Sequence, residues 1–408
     1  MHAPLMSPFA DATAQPLDAT VALLARFRGD PRTVKMNLAC GTFVGSDGEV
    51  PLMRAVHDAE IALAAEARPR DYQAMVGDER LIRVTRELLL GSELAESTRH
   101  RLAALQTLGG TGALRVAADL LHALMPSARV YVSRPTWGNH PQIFGAAGFE
   151  VREYPYVDTM TGAPDFAGMT NALRHEVPRG SIIVLHTSCH NPTGFDPSSV
   201  QWAELADIFV EKGLIALHDI AYQGLGEGLD EDVQSLRMFV ARGIPTLVAH
   251  SLSKSFSLYG ERVGTLLVTC ADATEAHRVG SMLQRSVRTN YSTPPIHGAS
   301  LIVRVLEDPA LRESWKSELA GMGEHVRAMR RALIGGLQEA GLPVAGERLG
   351  AQKGLFCFSG IPPEVIDRLR TERGIYLLRS GRLCLAALDA PGVRRFVTAV
   401  SEAWAVVA

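Results

Sequence analysis

Short apolar runs alternate with longer helical patterns through the middle of the chain. The runs "ARVYVSRP" (128–135), "SIIVLHTS" (181–188), "LIALHDIA" (214–221), "PTLVAHSLS" (245–253) and "VGTLLVTC" (263–270) are β-branched and bounded by Gly, Pro or polar residues, which predicts buried strands. Between them, "GALRVAADLLHALM" (112–125) and "SSVQWAELADIFVEKG" (198–213) carry helical spacing; Asp196 and Pro197 read as the start signal of the second and Gly213 as its stop. Near residue 300 the pattern changes to nearly continuous helix, broken near Asp308–Pro309. Strand-like pieces follow at 354–360 and 374–388, then an amphipathic helix from about 390. Together these predict an α/β chain with a mostly parallel central sheet and flanking helices over 48–310, and a smaller α+β domain built from 1–47 and 311–408.

At 408 residues and 47% hydrophobic content the chain can bury a large core. A formal net charge of -3 argues against a nucleic-acid partner held by a basic face. No apolar run is long enough for a membrane span, and the N-terminal stretch lacks a secretory pattern. The five cysteines are scattered and show no metal-ligand spacing, so no metal site is expected. Free thiols in a reducing compartment point to a cytoplasmic protein.

Open α/β sheets bind ligands beyond the carboxyl ends of their strands. Four motifs fall there. "GGTG" puts Gly110 and Thr111 at a helix start, where exposed N–H groups bind anions. "HDIAYQG" places Asp219 at a strand end with Tyr222 three residues on; a carboxylate there calls for a cation. "SCHNPTG" holds Asn191 on a Pro–Gly turn. "SLSKSFSLYGERVG" surrounds Lys254 with Ser251, Ser253 and Arg262. Singly, each has a plain structural reading: a glycine-rich helix start, a capping aspartate, a proline turn, a solvated loop lysine. Jointly they match the phosphate, ring nitrogen, phenol oxygen and aldehyde of pyridoxal 5'-phosphate.

With those residues in view, the chain resembles the class I pyridoxal-phosphate aminotransferases of fold-type I, in the branch of aspartate and aromatic amino acid aminotransferases. The resemblance runs from "MNLACG" (36–41) to "SGRLCLAAL" (380–388) and includes "GGTGALRVAADLL", "CHNPTGFDP", "AYQGLGEGL", "RTNYSTPPIHGAS" and "GLFCFSG". It implies that Lys254 carries the cofactor and then moves the substrate proton. Asp219 would pair with the ring nitrogen, backed by His140 and His186. Tyr222 and Asn191 would bond the phenolate oxygen. Gly110, Thr111, Ser251, Ser253 and Arg262 would hold the phosphate, joined by Tyr72 from a partner subunit. Trp137 would stack on the ring, Arg382 would bind the substrate α-carboxylate, and Gly41 and Phe356 would line the pocket. Arg288 matches the position that crosses the dimer interface to a distal carboxylate. The implied protein is a homodimer with shared active sites, exchanging amino groups between amino acids and 2-oxo acids.

Phe43 and Val44 after Gly41, Val50, the segment 72–79 and Cys384 depart from the family pattern. They suggest a less charged pocket mouth that favours aromatic side chains, and leave a specialised biosynthetic transaminase open. A β-eliminating or decarboxylating lyase would use the same lysine and aspartate. A non-enzymatic pyridoxal-phosphate regulator is disfavoured, because the few residues before the resemblance leave no room for an added DNA-binding domain.

Overall fold

A computed structural model describes residues 7, 9–45, 49–67, 69–158, 161–343 and 346–407. The expected boundary between residues 47 and 48 lies outside the described residues. Eleven strands occur among them: β1 (Met36–Asn37), β2 (Leu102–Leu108), β3 (Val130–Arg134), β4 (Val151–Pro155), β5 (Ile182–His186), β6 (Ile215–Ile220), β7 (Thr246–Ser251), β8 (Val263–Thr269), β9 (Phe356–Phe358), β10 (Ile375–Tyr376) and β11 (Arg382–Cys384).

Seven strands make the central sheet in the order β2-β8-β7-β6-β5-β3-β4. β8 runs antiparallel to both of its neighbours, β2 and β7; the other pairs are parallel. Every residue of β5 and of β7 is buried, as expected of inner strands covered on both faces. The chain reverses its direction across the sheet between β3 and β5, which places the ligand crevice beyond their carboxyl ends.

Five of the seven strands match the sequence pattern within two residues. β2 and β4 were not anticipated. The alanines and leucines of β2 suit a helix as well as a strand, and only pairing with β8 decides. β4 ends the sheet and exposes Arg152 and Glu153, a charged edge that hides its strand pattern. The helix Ser199–Lys212 is capped by Ser198 in a capping box with Gln201 and stops at Gly213 with φ 57°. Asp196 therefore does not cap it, in contrast to the sequence reading. Asp308 caps Pro309–Glu339, as the break at that point implied. The apparent strand 374–388 splits into β10, a turn at Gly381 with φ +86°, and β11.

The chain ends meet in space. β1 pairs in parallel with β10, and β9 pairs antiparallel with β11. The helices Pro309–Glu339 and Ala390–Val407 pack on each other through Leu333, Leu337, Phe396 and Val400. No helix among the described residues is long and apolar enough to cross a membrane.

Candidate active site

A cavity of about 430 Å³ opens at the carboxyl ends of β5, β6 and β7. Of the residues expected at the site, Gly41, Gly110, Thr111, Trp137, Asn191, Asp219, Tyr222, Ser251, Lys254, Arg262, Phe356 and Arg382 all line it.

One side is an anion cradle. The helix Gly109–Leu124 points its N-terminus into the cavity, with Gly110 and Thr111 in its first turn. Gly109 has φ +66°, and a β-carbon on it would stand 2.7 Å from Arg262 Nη2. A β-carbon on Gly110 would stand 3.0 Å from Ser251 Cβ. Glycine is thus what keeps the cradle open. Arg262 donates to Ser253 Oγ at 3.0 Å and to the Tyr259 carbonyl at 3.2 Å, both neutral acceptors. Ser253 is buried behind Arg262 and acts on the cavity through it.

The floor is built on Asp219, which lies within β6 rather than after it. Its Oδ2 accepts from His140 Nε2 at 3.0 Å. The proton positions follow from the chain of contacts. The Asn191 backbone N–H donates to His186 Nδ1 at 2.9 Å, so His186 carries its proton on Nε2 and donates to His140 Nδ1 at 3.4 Å. His140 Nδ1 also faces Thr136 Oγ1 at 2.9 Å, which leaves its proton on Nε2 for Asp219. Burial alone would raise the Asp219 carboxyl; the bond from His140 and nearby positive charge, including Lys254, outweigh it and hold the group below its usual range. Asp219 is therefore an anion aimed into the cavity.

Lys254 Nζ sits 5.2 Å from the Tyr222 ring centroid. Burial lowers its pKa, Arg262 adds to this, and Asp219 opposes it. The amine is moved toward its neutral, nucleophilic form. Burial raises the Tyr222 hydroxyl, so it stays protonated.

The opposite wall carries Arg382. Its Nη1 donates to Asn191 Oδ1 at 2.9 Å and its Nη2 to the Ala39 carbonyl at 2.6 Å. The guanidinium lies 4.2 Å from the Phe356 ring centroid. Its Nε and Ser188 Oγ are buried without a partner among the described residues, so the cavity offers unspent donors. Gly41 is required here, because a β-carbon would stand 2.6 Å from Phe356 Cζ.

A model of the family described as "Aminotransferase class I and II" matches residues 33–400. The chain belongs to the class I and II aminotransferases. This aminotransferase is 41% identical to a tyrosine aminotransferase of Klebsiella pneumoniae, over 94% of its own length and 96% of the relative's. It is 40% identical to an aspartate aminotransferase of Pseudomonas aeruginosa, over 97% and 100% of the two chains. It also superposes on an aromatic-amino-acid aminotransferase from Burkholderia pseudomallei covalently bound to pyridoxal phosphate, with a TM-score of 0.94, 42% identity, and 98% and 100% of the chains covered. The fold is that of fold-type I.

Some expected residues lie elsewhere in the aminotransferase. Tyr72 is 96% exposed, and Arg288 is exposed in the last turn of the helix Ala273–Asn290, bonded to Ser292; neither lines the cavity of its own chain. Phe43 and Val44, expected to make the pocket mouth less charged, do not line the described cavity. Phe43 is buried against His325, with ring centroids 5.2 Å apart, and its N–H donates to Tyr259 Oη. Val44 donates to the Ala386 carbonyl, Val50 is exposed, and Cys384 is buried with Sγ toward the Thr42 carbonyl. Asp18, Thr20 and Val21 at the start of the helix Ala19–Gly29 line the cavity instead, with Asn139, Ser188 and Leu114. Asp18 before an apolar periodic run was a readable N-cap, but nothing local ties that helix to a pocket some 200 residues away in sequence.

Proposed function

We propose that this aminotransferase binds pyridoxal 5'-phosphate at the described cavity and moves amino groups between aromatic amino acids or aspartate and a 2-oxo acid such as 2-oxoglutarate. The observation that carries the reading is the convergence on one cavity of an anion cradle, an ionised aspartate, a lysine amine with lowered pKa and a buried arginine fork. The donors fit the cofactor: Gly110, Thr111, Ser251 and Arg262 would hold its phosphate, Asp219 its ring nitrogen, Lys254 its carbonyl carbon, Tyr222 and Asn191 its ring oxygen, and Trp137 its face.

When bound, the cofactor supplies an electron sink that acidifies the Cα–H bond of an attached amino acid. The protein's own groups do the rest. Arg382 pairs with the α-carboxylate as a planar fork. Lys254 takes and returns the α-proton at Nζ, its neutral form favoured by burial. Asp219 stays ionised because His140 spends its only N–H on it. Gly41 and Phe356 close the wall beside the substrate side chain.

We further propose a homodimer in which Tyr72 and Arg288 complete the partner's site, consistent with their exposure here. Three tests bear on the whole reading. Incubation with amino donor alone should release one equivalent of 2-oxo acid and stop; continuous release of pyruvate, ammonia or carbon dioxide would mean a lyase. Borohydride reduction of the loaded protein should fix the cofactor mass on Lys254, and recovery of the label in Lys254→Ala would remove that assignment. A fully active monomer would remove the shared-site assignment.

A further inference from the structure

Ser198 caps the helix after "CHNPTGFDP", which leaves Asp196 free of the role its position suggests. Its carboxylate turns back instead. Oδ2 accepts from the Cys189 N–H at 2.7 Å and Oδ1 from the His190 N–H at 3.0 Å. Cys189 has φ 54°, a left-handed backbone that costs a side-chain-bearing residue energy and persists only where its surroundings hold it. Two charge-assisted hydrogen bonds to one carboxylate provide that hold.

The residue directly after this clamped pair is Asn191, which receives Arg382 Nη1 on its Oδ1. The other attachments of Arg382 are the Ala39 carbonyl and the Phe356 face, and its Nε has no partner among the described residues. A shift of Asn191 therefore frees one arm of the fork. The rest of the segment is pinned from outside. Tyr156 Oη donates to the Phe195 carbonyl and the Lys353 N–H to the Gly194 carbonyl, both at 2.6 Å. Gly354 lies so close that a β-carbon on it would stand 2.4 Å from Cys189 Cβ. Asp196 holds the left-handed Cys189 and the His190 amide that precede Asn191, whose own N–H is held by His186 Nδ1.

We propose that Asp196 is a positioning residue for the substrate carboxylate: it holds the Cys189 and His190 amides, these set Asn191, and Asn191 sets the Arg382 fork. The inference rests on Arg382 taking the α-carboxylate.

Asp196→Asn turns one acceptor oxygen into an amide that faces an N–H donor. In the cofactor-loaded enzyme the KM for phenylalanine should rise about tenfold, the loss of about one charge-assisted hydrogen bond, with kcat within about twofold. The Kd of 3-phenylpropionate, a carboxylate without an amine, should rise by a similar factor in calorimetric titration. A lowered melting temperature with unchanged KM and Kd would make Asp196 a loop staple only and overturn the proposal. Lys353→Gln keeps both carboxylate bonds and should leave Kd within about twofold; a tenfold rise there would assign the effect to the 352–356 segment instead. If Asp196→Asn does not fold, Asp196→Glu replaces it: a raised Kd supports the proposal and a wild-type Kd overturns it. Arg382→Lys separates the two levels. An unchanged KM in that variant removes the carboxylate assignment and this inference together. A raised KM there, with none in the Asp196 variant, removes the inference alone.

Discussion

Mild acid should unfold this protein, and the reason lies in three buried histidines. His218 is buried, with Nδ1 facing Thr187 Oγ1 at 3.0 Å and Nε2 unpartnered among the described residues; its ring packs on Phe239. His250 is buried with neither nitrogen partnered among the described residues. Burial pushes His218 and His186 down to about 3 and His250 to about 4. A histidine with a folded pKa below its unfolded value of about 6.5 contributes its full stability above that value and loses it as pH falls toward the folded pKa. At pH 5 the unfolded chain gains by protonation about 2 kcal/mol per histidine, about 6 kcal/mol for the three. Asp196, raised to about 6 by burial against its two amide bonds, works the other way by about 1 kcal/mol over the same interval. The net loss of about 5 kcal/mol is comparable to the whole stability of many domains. Urea unfolding at pH 7.5 and pH 5, followed by far-ultraviolet circular dichroism at fixed protein and cofactor concentration, measures it. His218→Asn, which cannot charge, should shrink the difference between the two pH values by about 2 kcal/mol. The same pH difference in variant and wild type would refute the argument.

Further outcomes follow from the same geometry. Gly41→Ala should lower kcat/KM for phenylalanine at least tenfold with a small drop in melting temperature, because the new methyl displaces the Phe356 ring; steady-state kinetics with a melting curve checks both. Arg288→Ala should reduce aspartate turnover far more than phenylalanine turnover, and equal losses would mean that it does not meet a distal carboxylate. His140→Ala takes the N–H from Asp219 and, by leaving burial less opposed, should weaken cofactor retention in equilibrium dialysis at least tenfold. A panel of donors against 2-oxoglutarate, comparing kcat/KM for aspartate, phenylalanine, tyrosine and tryptophan, decides between the two substrate classes.

The motifs at strand ends were legible because each puts an uncommon residue type where backbone geometry leaves little choice. Lys254 follows, and Asp219 lies near the end of, a strand whose apolar run announces it, whereas the "GGTG" helix start was legible from its own glycines and the helical spacing after them. The cavity mouth was not legible. Phe43 and Val44 sit near Gly41 in sequence, yet neither lines the cavity, and Phe43 packs into the core beside His325. Asp18 and Thr20 reach the mouth only through long-range packing, which no local pattern encodes. Asp196 read as a helix cap because aspartate before Pro197 and Ser198 suits that role; the competing backbone partners at Cys189 and His190 appear only in three dimensions. β4 was hidden because an edge strand needs charge where an inner strand needs apolar residues.

The pairing of β1 with β10 has a consequence for how the protein is made. Met36 lies beside Ile375, and Arg32 donates to the carbonyls of Arg370 and Thr371. On the ribosome these partners emerge hundreds of residues apart, whereas the last strand of the central sheet is complete at Thr269. The nascent chain can thus present Lys254, Asp219 and the anion cradle well before Arg382 is synthesised. On the proposed assignment, cofactor capture can then precede the completion of the substrate site, and the N-terminal segment waits through most of translation for the strand that secures it.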